Sequence, residues 1–234
     1  MSVSEYVFTA SDGEEIPVRI AARRGIRNIT LRPKIGRDRE IQISKPWLVR
    51  DASALEFLEA KRKWIERIFA RAPQRETVKP GMCLEYLGRR VTVMHDASRY
   101  SNSYSNDGMH LIIGGAPDMF ERRLGELIKK EFLAEVKRII RSAPRDLWPR
   151  KISLRDTTSR WGSCSSTGTI CFSWRLAFAP YDVMRYVIMH ELAHRRHMDH
   201  SPEFWATVSE LYGFGVERAK RWLNTHGAEL HKYL

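Results

Sequence analysis

The chain has 234 residues, of which 43% are hydrophobic, and its formal net charge is +12. This length and apolar content suffice to bury a sizeable core, so we expect an ordinary globular protein rather than a disordered chain. No window approaches the ~18 apolar residues needed to span a bilayer, which argues against a membrane protein.

The N-terminal half has the pattern of short strands. Apolar and polar residues alternate in IPVRI, NITL, EIQISK, RRVTVMH and HLIIGG, and this period of two is typical of β-strands. The segment DASALEFLEAKRKWIERIFARA interrupts them with apolar residues at helical spacing, and Asp51 or Ser53 can cap its start. We therefore predict a β-rich part with one helix over residues 1–115.

The pattern changes after residue 115. MFERRLGELIKKEFLAEVKRIIRS places apolar residues on one face of a long helix that should end before Pro144. KISLRD, SRWGSCSSTGT and ICFSWRLAFA then predict strands with a turn near residues 166–168, and Pro180 opens another helix. The predicted fold class is α+β, with a second part over residues 116–234. Whether the two parts form one integrated domain is left open.

Histidine and glutamate are concentrated in YVIMHELAHRRHMDHSPEFW, residues 186–205. In a helix predicted from about 181 to 196, His190 and His194 lie one turn apart on the same face, so their imidazoles can share one ion. Zinc suits nitrogen ligands in tetrahedral geometry, and a catalytic zinc keeps three protein ligands and one exchangeable water. Glu191 lies beside the first ligand and can take a proton from that water.

Two histidines compete to be the third ligand. In an unbroken helix His197 lies about 10 Å along the axis from His190, too far for bonds of about 2 Å to one ion. His200 can reach the ion if the chain leaves the helix after Arg196, and Ser201 with the proline after it favours a fresh helix start there. We predict one zinc per chain, held by His200 as the third ligand. Carboxylates further along the chain are rivals: Glu203, Glu210 and Glu217.

The motif alone does not decide between a metal site and histidines that are merely surface or core residues of a helix. H-E-x-x-H matches also occur by chance. Here an apolar turn precedes the motif and another histidine follows it before a new helix start. These neighbours favour a metal site.

The segment SRWGSCSSTGTICFSWRLAFAPYDVMRYVIMHELAHRRHMDHSPEFW resembles the YgjP-like metallopeptidase family, related to the SprT-like and WLM zinc peptidases. That family has a W-G-S-C segment before an H-E-L-x-H helix and an H-S-x-x-F-W continuation. WIERI, YLGRRVTV and KRWLNTHG extend the resemblance over nearly the whole chain. It implies a zincin-like second part with His190, His194 and His200 as zinc ligands and Glu191 as catalytic acid and base. Two departures are Ser173 and Asp199, where the family often has Asn.

The resemblance also implies a substrate-binding strand beside the active-site helix, and TICFSWRL is the candidate by position. Main-chain pairing with extended substrate gives affinity with little sequence specificity. The alternative is that the aromatic residues here belong to the core, and Cys164 is interpreted as a packing thiol. The candidate substrate-binding residues are Trp161, Gly162, Ser163, Ser173 and Trp174.

Positive charge is concentrated between residues 19 and 50, which contain ten basic residues against Asp38 and Glu40. Such a segment can attract a polyanion such as nucleic acid. The candidate polyanion-binding residues are Arg23, Arg24 and Arg27. The alternative is an ordinary solvated face of a sheet.

The sequence thus predicts a zinc-dependent metallopeptidase acting on a protein or peptide substrate. Two alternatives stay open: a metal-dependent nucleotide phosphate hydrolase, because a metal site does not name its electrophile, and a nucleic-acid-associated module with a structural zinc. Three sparse cysteines and a start without signal-peptide features predict a cytoplasmic location. The sequence names neither the physiological substrate nor the oligomeric state.

Overall fold

The protein combines three β-sheets with six α-helices in the part of the chain that this computed structural model describes. The described residues are 3–34, 39–71, 76–157 and 160–234. The chain divides into two compact units, Met1–Arg75 and Glu76–Leu234. Sheets dominate the N-terminal half and helices follow, as the predicted α+β class requires.

The first unit contains one four-stranded sheet in the order β1-β2-β4-β3. Strand β2 is antiparallel to β1 and parallel to β4, and β3 is antiparallel to β4. The segment predicted as one helix forms two, separated at Lys61. The elements are β1 (Val3–Thr9), β2 (Glu15–Arg23), β3 (Thr30–Lys34), β4 (Glu40–Pro46), α1 (Asp51–Ala60) and α2 (Arg62–Arg71).

One face of this sheet is buried and the other meets solvent. Ile16, Val18 and Ile20 of β2 point into the core, while the residues between them are exposed, as the period-two pattern predicts. The core is completed from β1, β4 and both helices by Phe8, Ile41, Ile43, Ala54, Leu58, Ile65 and Phe69.

The second unit contains two sheets, in the orders β5-β6-β8-β7 and β10-β11-β9, followed by the helices that carry the histidine motif. The predicted turn near residues 166–168 joins β10 to β11. The strands are β5 (Cys83–Tyr86), β6 (Arg89–Asp96), β7 (Ser103–Tyr104), β8 (His110–Gly114), β9 (Lys151–Arg155), β10 (Gly162–Cys164) and β11 (Thr169–Ser173). The helices are α3 (Phe120–Arg141), α4 (Tyr181–Ala193), α5 (Pro202–Tyr212) and α6 (Val216–His226).

The predicted boundary between residues 115 and 116 lies inside the second unit, so the units divide about 40 residues earlier. The reason is packing. Apolar residues of β5, β6 and β8 share one core with α3 and α4, and separating them at residue 115 would expose it. These strand residues are Leu84, Val91, Val93, Leu111 and Ile113.

Helix α3 supports the elements that carry the motif. It is 22 residues long, ends before Pro144 as predicted, and buries one apolar face against β8 and α4. Its other face carries charged residues. Across the described part of the chain, no helix combines the length and the apolar character needed to cross a membrane.

Candidate metal centre

Helix α4 carries the first two histidines and ends earlier than the sequence predicts. It starts directly after Pro180 and ends at Ala193, with His194 as the capping residue, rather than continuing to residue 196. Most of its side chains are buried, including Glu191. Because the helix stops here, the chain is free to turn back towards its own last turn.

Three imidazoles meet where the chain turns back. One ligand nitrogen from each of His190, His194 and His200 lies within 4.8 Å of the others. The Nε2 atoms of His190 and His200 are 3.4 Å apart. Nitrogens bound tetrahedrally at ~2.0 Å to one ion would be separated by about 3.3 Å, so this spacing suits zinc.

The turn that returns His200 is built by its own sequence. The Ser201 N–H donates to Asp199 Oδ1 (3.3 Å), and Ser201 Oγ accepts from the Phe204 N–H (3.3 Å). Pro202 is the first residue of α5. Ser201 is therefore the helix N-cap that the sequence predicts.

Two contacts orient the histidine rings. His194 Nδ1 donates to the carbonyl oxygen of His197 (2.9 Å), which leaves His194 Nε2 as the free ligand nitrogen. The ring of Phe204 lies 4.9, 4.5 and 4.8 Å from those of His190, His194 and His200, so one aromatic ring packs against all three. His197 thus contributes its backbone carbonyl to this centre.

Burial favours the neutral form of His190 and His194. Burial, together with the smaller effects of the neighbouring His194 and His200, lowers the pKa of His190 to about 4. Burial also lowers the pKa of His194. Neutral imidazoles are the form that binds a metal, and three converging imidazole nitrogens fit a zinc ion. His190 Nδ1 is buried without a hydrogen-bond partner among the residues described.

The rival carboxylates do not join this group. Glu210 pairs with Arg196 (3.4 Å) and Glu217 pairs with Lys220 (2.8 Å). Glu203 is an exposed residue of the first turn of α5.

Glu191 is buried beside the histidines, and Gly162 of β10 packs directly against it. A Cβ atom at residue 162 would lie 2.5 Å from Glu191 Cγ and 2.6 Å from its Oε1, so only glycine permits this approach. Burial raises the pKa of Glu191 to about 7, and the charge of Arg160 opposes the increase. A carboxyl group with a pKa near neutrality suits general acid and base catalysis.

The structure corrects the predicted substrate-binding strand. TICFSWRL contains β11, which is the central strand of its sheet and is hydrogen-bonded on both sides, to β10 and β9. It therefore has no free backbone edge for a substrate. Strand β10 is an edge strand, and it includes Gly162 and Ser163, two of the predicted substrate-binding residues.

The other predicted substrate-binding residues lie mostly in the core. Ser173 and Trp174 are 1% and 4% exposed, so their side chains are not open to a substrate. The half-buried Trp161 packs against His231, with 5.6 Å between ring centroids. These positions support the alternative interpretation, in which the aromatic residues belong to the core. Burial raises the pKa of the Cys164 thiol, which agrees with a packing role.

The candidate polyanion-binding residues are exposed in the first unit. Arg23, Arg24 and Arg27 form no ion pair within the described ranges. The guanidinium of Arg24 lies 5.6 Å from the ring of Trp47, which is 58% exposed. Two charged residues of the same basic segment lie outside the described residues: Arg37 and Asp38.

A family model described as "YgjP-like, metallopeptidase domain" matches residues 27–226. The chain belongs to the YgjP-like metallopeptidase family. This confirms the resemblance stated from the sequence. Membership identifies the chain as a metallopeptidase, a hydrolase whose activity depends on a metal ion.

Among solved structures, the chain is similar to the metallopeptidase zymogen of Pyrococcus abyssi abylysin. The two are 26% identical, and the match covers 45% of this chain and 98% of that one with a TM-score of 0.33. A similarity this loose carries no argument about the present fold. No curated protein matches the chain.

Proposed function

We propose that the protein is a zinc-dependent metallopeptidase in which His190, His194 and His200 hold one zinc ion per chain and Glu191 is the general base. One observation carries this proposal: three imidazole nitrogens converge within 4.8 Å beside a glutamate that is 6% exposed. We also propose that the second unit as a whole has a zincin-like fold.

Each residue has a distinct part in the proposed reaction. When bound, the ion supplies polarisation of the scissile carbonyl and lowers the pKa of a water molecule. Glu191 accepts the proton of the attacking water and returns it to the leaving nitrogen. The His197 carbonyl holds the His194 ring in the tautomer that exposes Nε2.

The proposed substrate is a protein or peptide that lies in extended form along β10. This strand is at the edge of its sheet, and Gly162 brings it against Glu191. Pairing with a strand edge holds the substrate through its main chain. Side chains near the two ends of β10 are then available to select the sequence.

The test is to replace Glu191 by Gln and to measure both zinc content and hydrolysis. Loss of general acid and base catalysis typically lowers the rate ~10²- to 10⁴-fold, and we expect a decrease in that range with one zinc retained. Glu203→Gln, an exposed carboxylate at the start of α5, is the matched control and should change neither quantity. Loss of zinc from Glu191→Gln, or full activity in that variant, would contradict the proposed role.

The hydrolysis panel includes nucleoside triphosphates besides peptides. Metal-assisted hydrolysis does not by itself determine which bond is attacked. Cleavage of a triphosphate that depends on Glu191, without cleavage of any peptide, would replace the proposed reaction with phosphate hydrolysis.

A polyanion-binding surface in the first unit is a second candidate function. It is supported by the exposed Arg23, Arg24 and Arg27, which lack carboxylate partners in the described ranges, and by the exposed ring of Trp47 beside Arg24. Free guanidinium groups beside an exposed aromatic ring suit single-stranded nucleic acid, whose bases stack on such rings.

A cytoplasmic location is part of the proposal. Cys83, Cys164 and Cys171 are free thiols. Free thiols are typical of a reducing compartment. Mass spectrometry of the protein isolated with thiols trapped should find all three unmodified by disulfide formation.

A further inference from the structure

An arginine without a carboxylate partner lies at the start of β10. Arg160 precedes the strand by two residues, is exposed, and has its carbonyl oxygen held by Thr157 Oγ1 (2.7 Å). Gly162, two residues further along the chain, packs against the side chain of Glu191. Within the described ranges the guanidinium of Arg160 forms no hydrogen bond or ion pair. Arg160 is therefore a free positive charge close to the proposed general base.

A second such arginine lies at the other end of the same strand. Arg195 directly follows His194, and its Nη1 is 2.7 Å from where a Cβ atom on Gly168 would be, in the turn after β10. Burial raises the pKa of the Cys164 thiol, and the charge of Arg195 opposes that increase. Its Nε atom is buried without a hydrogen-bond partner among the residues described.

The neighbouring arginines differ from these two. Arg196, next in the chain, pairs with Asp146 (3.1 Å) and Glu210 (3.4 Å). The buried Arg175 pairs with Asp156 (2.8 Å). A buried donor without a partner costs free energy, because water is removed and nothing replaces it. Arg195 thus lacks the carboxylate partners that Arg196 and Arg175 have.

Resting on the proposed peptidase function, we infer that Arg160 and Arg195 are specificity-determining residues that select peptides with acidic side chains on both sides of the cleaved bond. The guanidinium fork binds carboxylates through paired N–H groups. Arg195 lies near the end of β10, because its charge acts on Cys164, and Cys164 follows Arg160 by four residues, or roughly 13 Å of extended chain. The preferred peptide therefore carries two acidic residues about four positions apart.

The separation of the arginines favours a peptide over a nucleotide. Arg160 precedes β10 and Arg195 lies against Gly168 in the turn after it, so an anionic ligand that contacts both must extend along the strand. An extended chain paired with the strand edge passes both ends. A triphosphate remains an outcome of the test.

The experiment measures binding separately from hydrolysis. Zinc-loaded Glu191→Gln protein is titrated into fluorescent octapeptides whose two termini are blocked. Binding is measured by fluorescence anisotropy. One peptide carries two Glu residues four positions apart, and its control carries Gln at both positions. We expect the Glu peptide to bind at least about tenfold more tightly, and the difference to shrink as salt is added.

Arginine variants in the same background identify the source of the preference. Arg160→Gln and Arg195→Gln should each remove most of it, whereas Arg141→Gln, at the exposed end of α3, should leave it unchanged. Zinc content is measured for each variant. Arg195 adjoins the proposed ligand His194, so Arg195→Gln could lose zinc for a structural reason. In that case Arg160→Gln alone tests the preference.

Equal binding of the Glu and Gln peptides would overturn the inference, as would a preference that both arginine variants retain. Hydrolysis by the wild type is scored separately. Cleavage of both peptides at equal rates would refute the acidic preference and leave the proposed peptidase function standing. Cleavage of a triphosphate alone would contradict both.

Discussion

The two compact units differ in where they keep their charged side chains. In the first unit the buried Lys45 is neutralised by Asp51 (3.0 Å), and exposed charges form pairs such as Arg39 with Glu14 (2.7 Å). In the second unit Glu191 is buried, and no ion pair or hydrogen bond to its carboxylate occurs among the residues described. Titratable groups buried without full compensation tend to mark sites of chemistry, which supports the proposal that catalysis takes place in the second unit.

Burial alone is not sufficient for that assignment. His231 is also buried in the second unit, and burial lowers its pKa to about 4. It packs against Trp161 and joins no group of potential metal ligands among the described residues. His190 differs from His231 because two further imidazoles, those of His194 and His200, converge on it to within 4.8 Å.

The largest effect that would sharpen this comparison is expected from Gly162→Ala. The new Cβ would lie 2.5 Å from Glu191 Cγ and displace the carboxylate. A displacement of about 1 Å can lower a rate about 10²-fold, so we expect a decrease of that order in kcat with zinc retained.

Gly125→Ala in α3 is the matched control, because a Cβ there has no atom within 4 Å. It should stabilise the protein by about 0.5–1 kcal/mol, through the higher helix propensity of alanine, without changing activity. Unchanged kcat in Gly162→Ala would show that β10 does not hold Glu191 in place.

The next effect concerns stability. Asp156→Asn would leave the guanidinium of Arg175, 4% exposed, without its carboxylate. We expect the free energy of unfolding at pH 7 to fall by about 2 kcal/mol, less than for a fully buried pair because Asp156 is half exposed. Glu59→Gln, which breaks an exposed pair with Arg62 in the first unit, should cost no more than about 0.5 kcal/mol. Similar losses in denaturant titrations of the two variants would refute the larger cost expected for leaving a buried guanidinium unpaired.

The same pair predicts a pH dependence. Burial raises the pKa of Asp156, but the hydrogen bonds and charge of Arg175 outweigh it, so the pKa lies below the ordinary value of 3.8. A carboxyl group with a lowered folded-state pKa stabilises the protein above its unfolded pKa and loses this contribution as pH falls. The unfolding free energies of wild type and Asp156→Asn should therefore converge below about pH 4, and a constant difference down to pH 3 would contradict this cause.

The smallest effect is expected in the first unit. If Arg23, Arg24 and Arg27 contact nucleic acid, replacing all three by Gln should flatten the dependence of log affinity on log salt by about 2 for a single strand. Replacing the paired Arg19, Arg39 and Arg62 instead is the control and should change the slope less. Absence of binding by the wild type even at low salt would show that these arginines are only a solvated face.

The convergence of the three histidines could be predicted from local sequence. Asp199, Ser201 and Pro202 specify a turn and a helix start through contacts within three residues, so the return of His200 could be anticipated. The residue at which α4 ends could not be predicted from the sequence. The letters RRH at residues 195–197 continue the helical pattern. The chain nevertheless turns after His194, because His200 and Phe204 pack back against α4.

Features that depend on distant partners were missed. The alternating patterns of β6 and β2 look alike, and only packing against α3 places β6 in the second unit. Whether β11 is an edge strand depends on β9 and β10. The free guanidinium of Arg195 is equally invisible in sequence, because its significance lies in the absence of a partner among the described residues.

Zinc stoichiometry in wild type, His200→Ala and His197→Ala tests the central claim most directly. Metal analysis after dialysis should find one zinc per chain in the wild type and far less in His200→Ala, because that variant removes one of three ligands. His197→Ala should keep its zinc, since the backbone carbonyl that orients His194 remains. Equal loss from both variants, or loss from His197→Ala alone, would contradict the assignment of His190, His194 and His200 as the metal ligands.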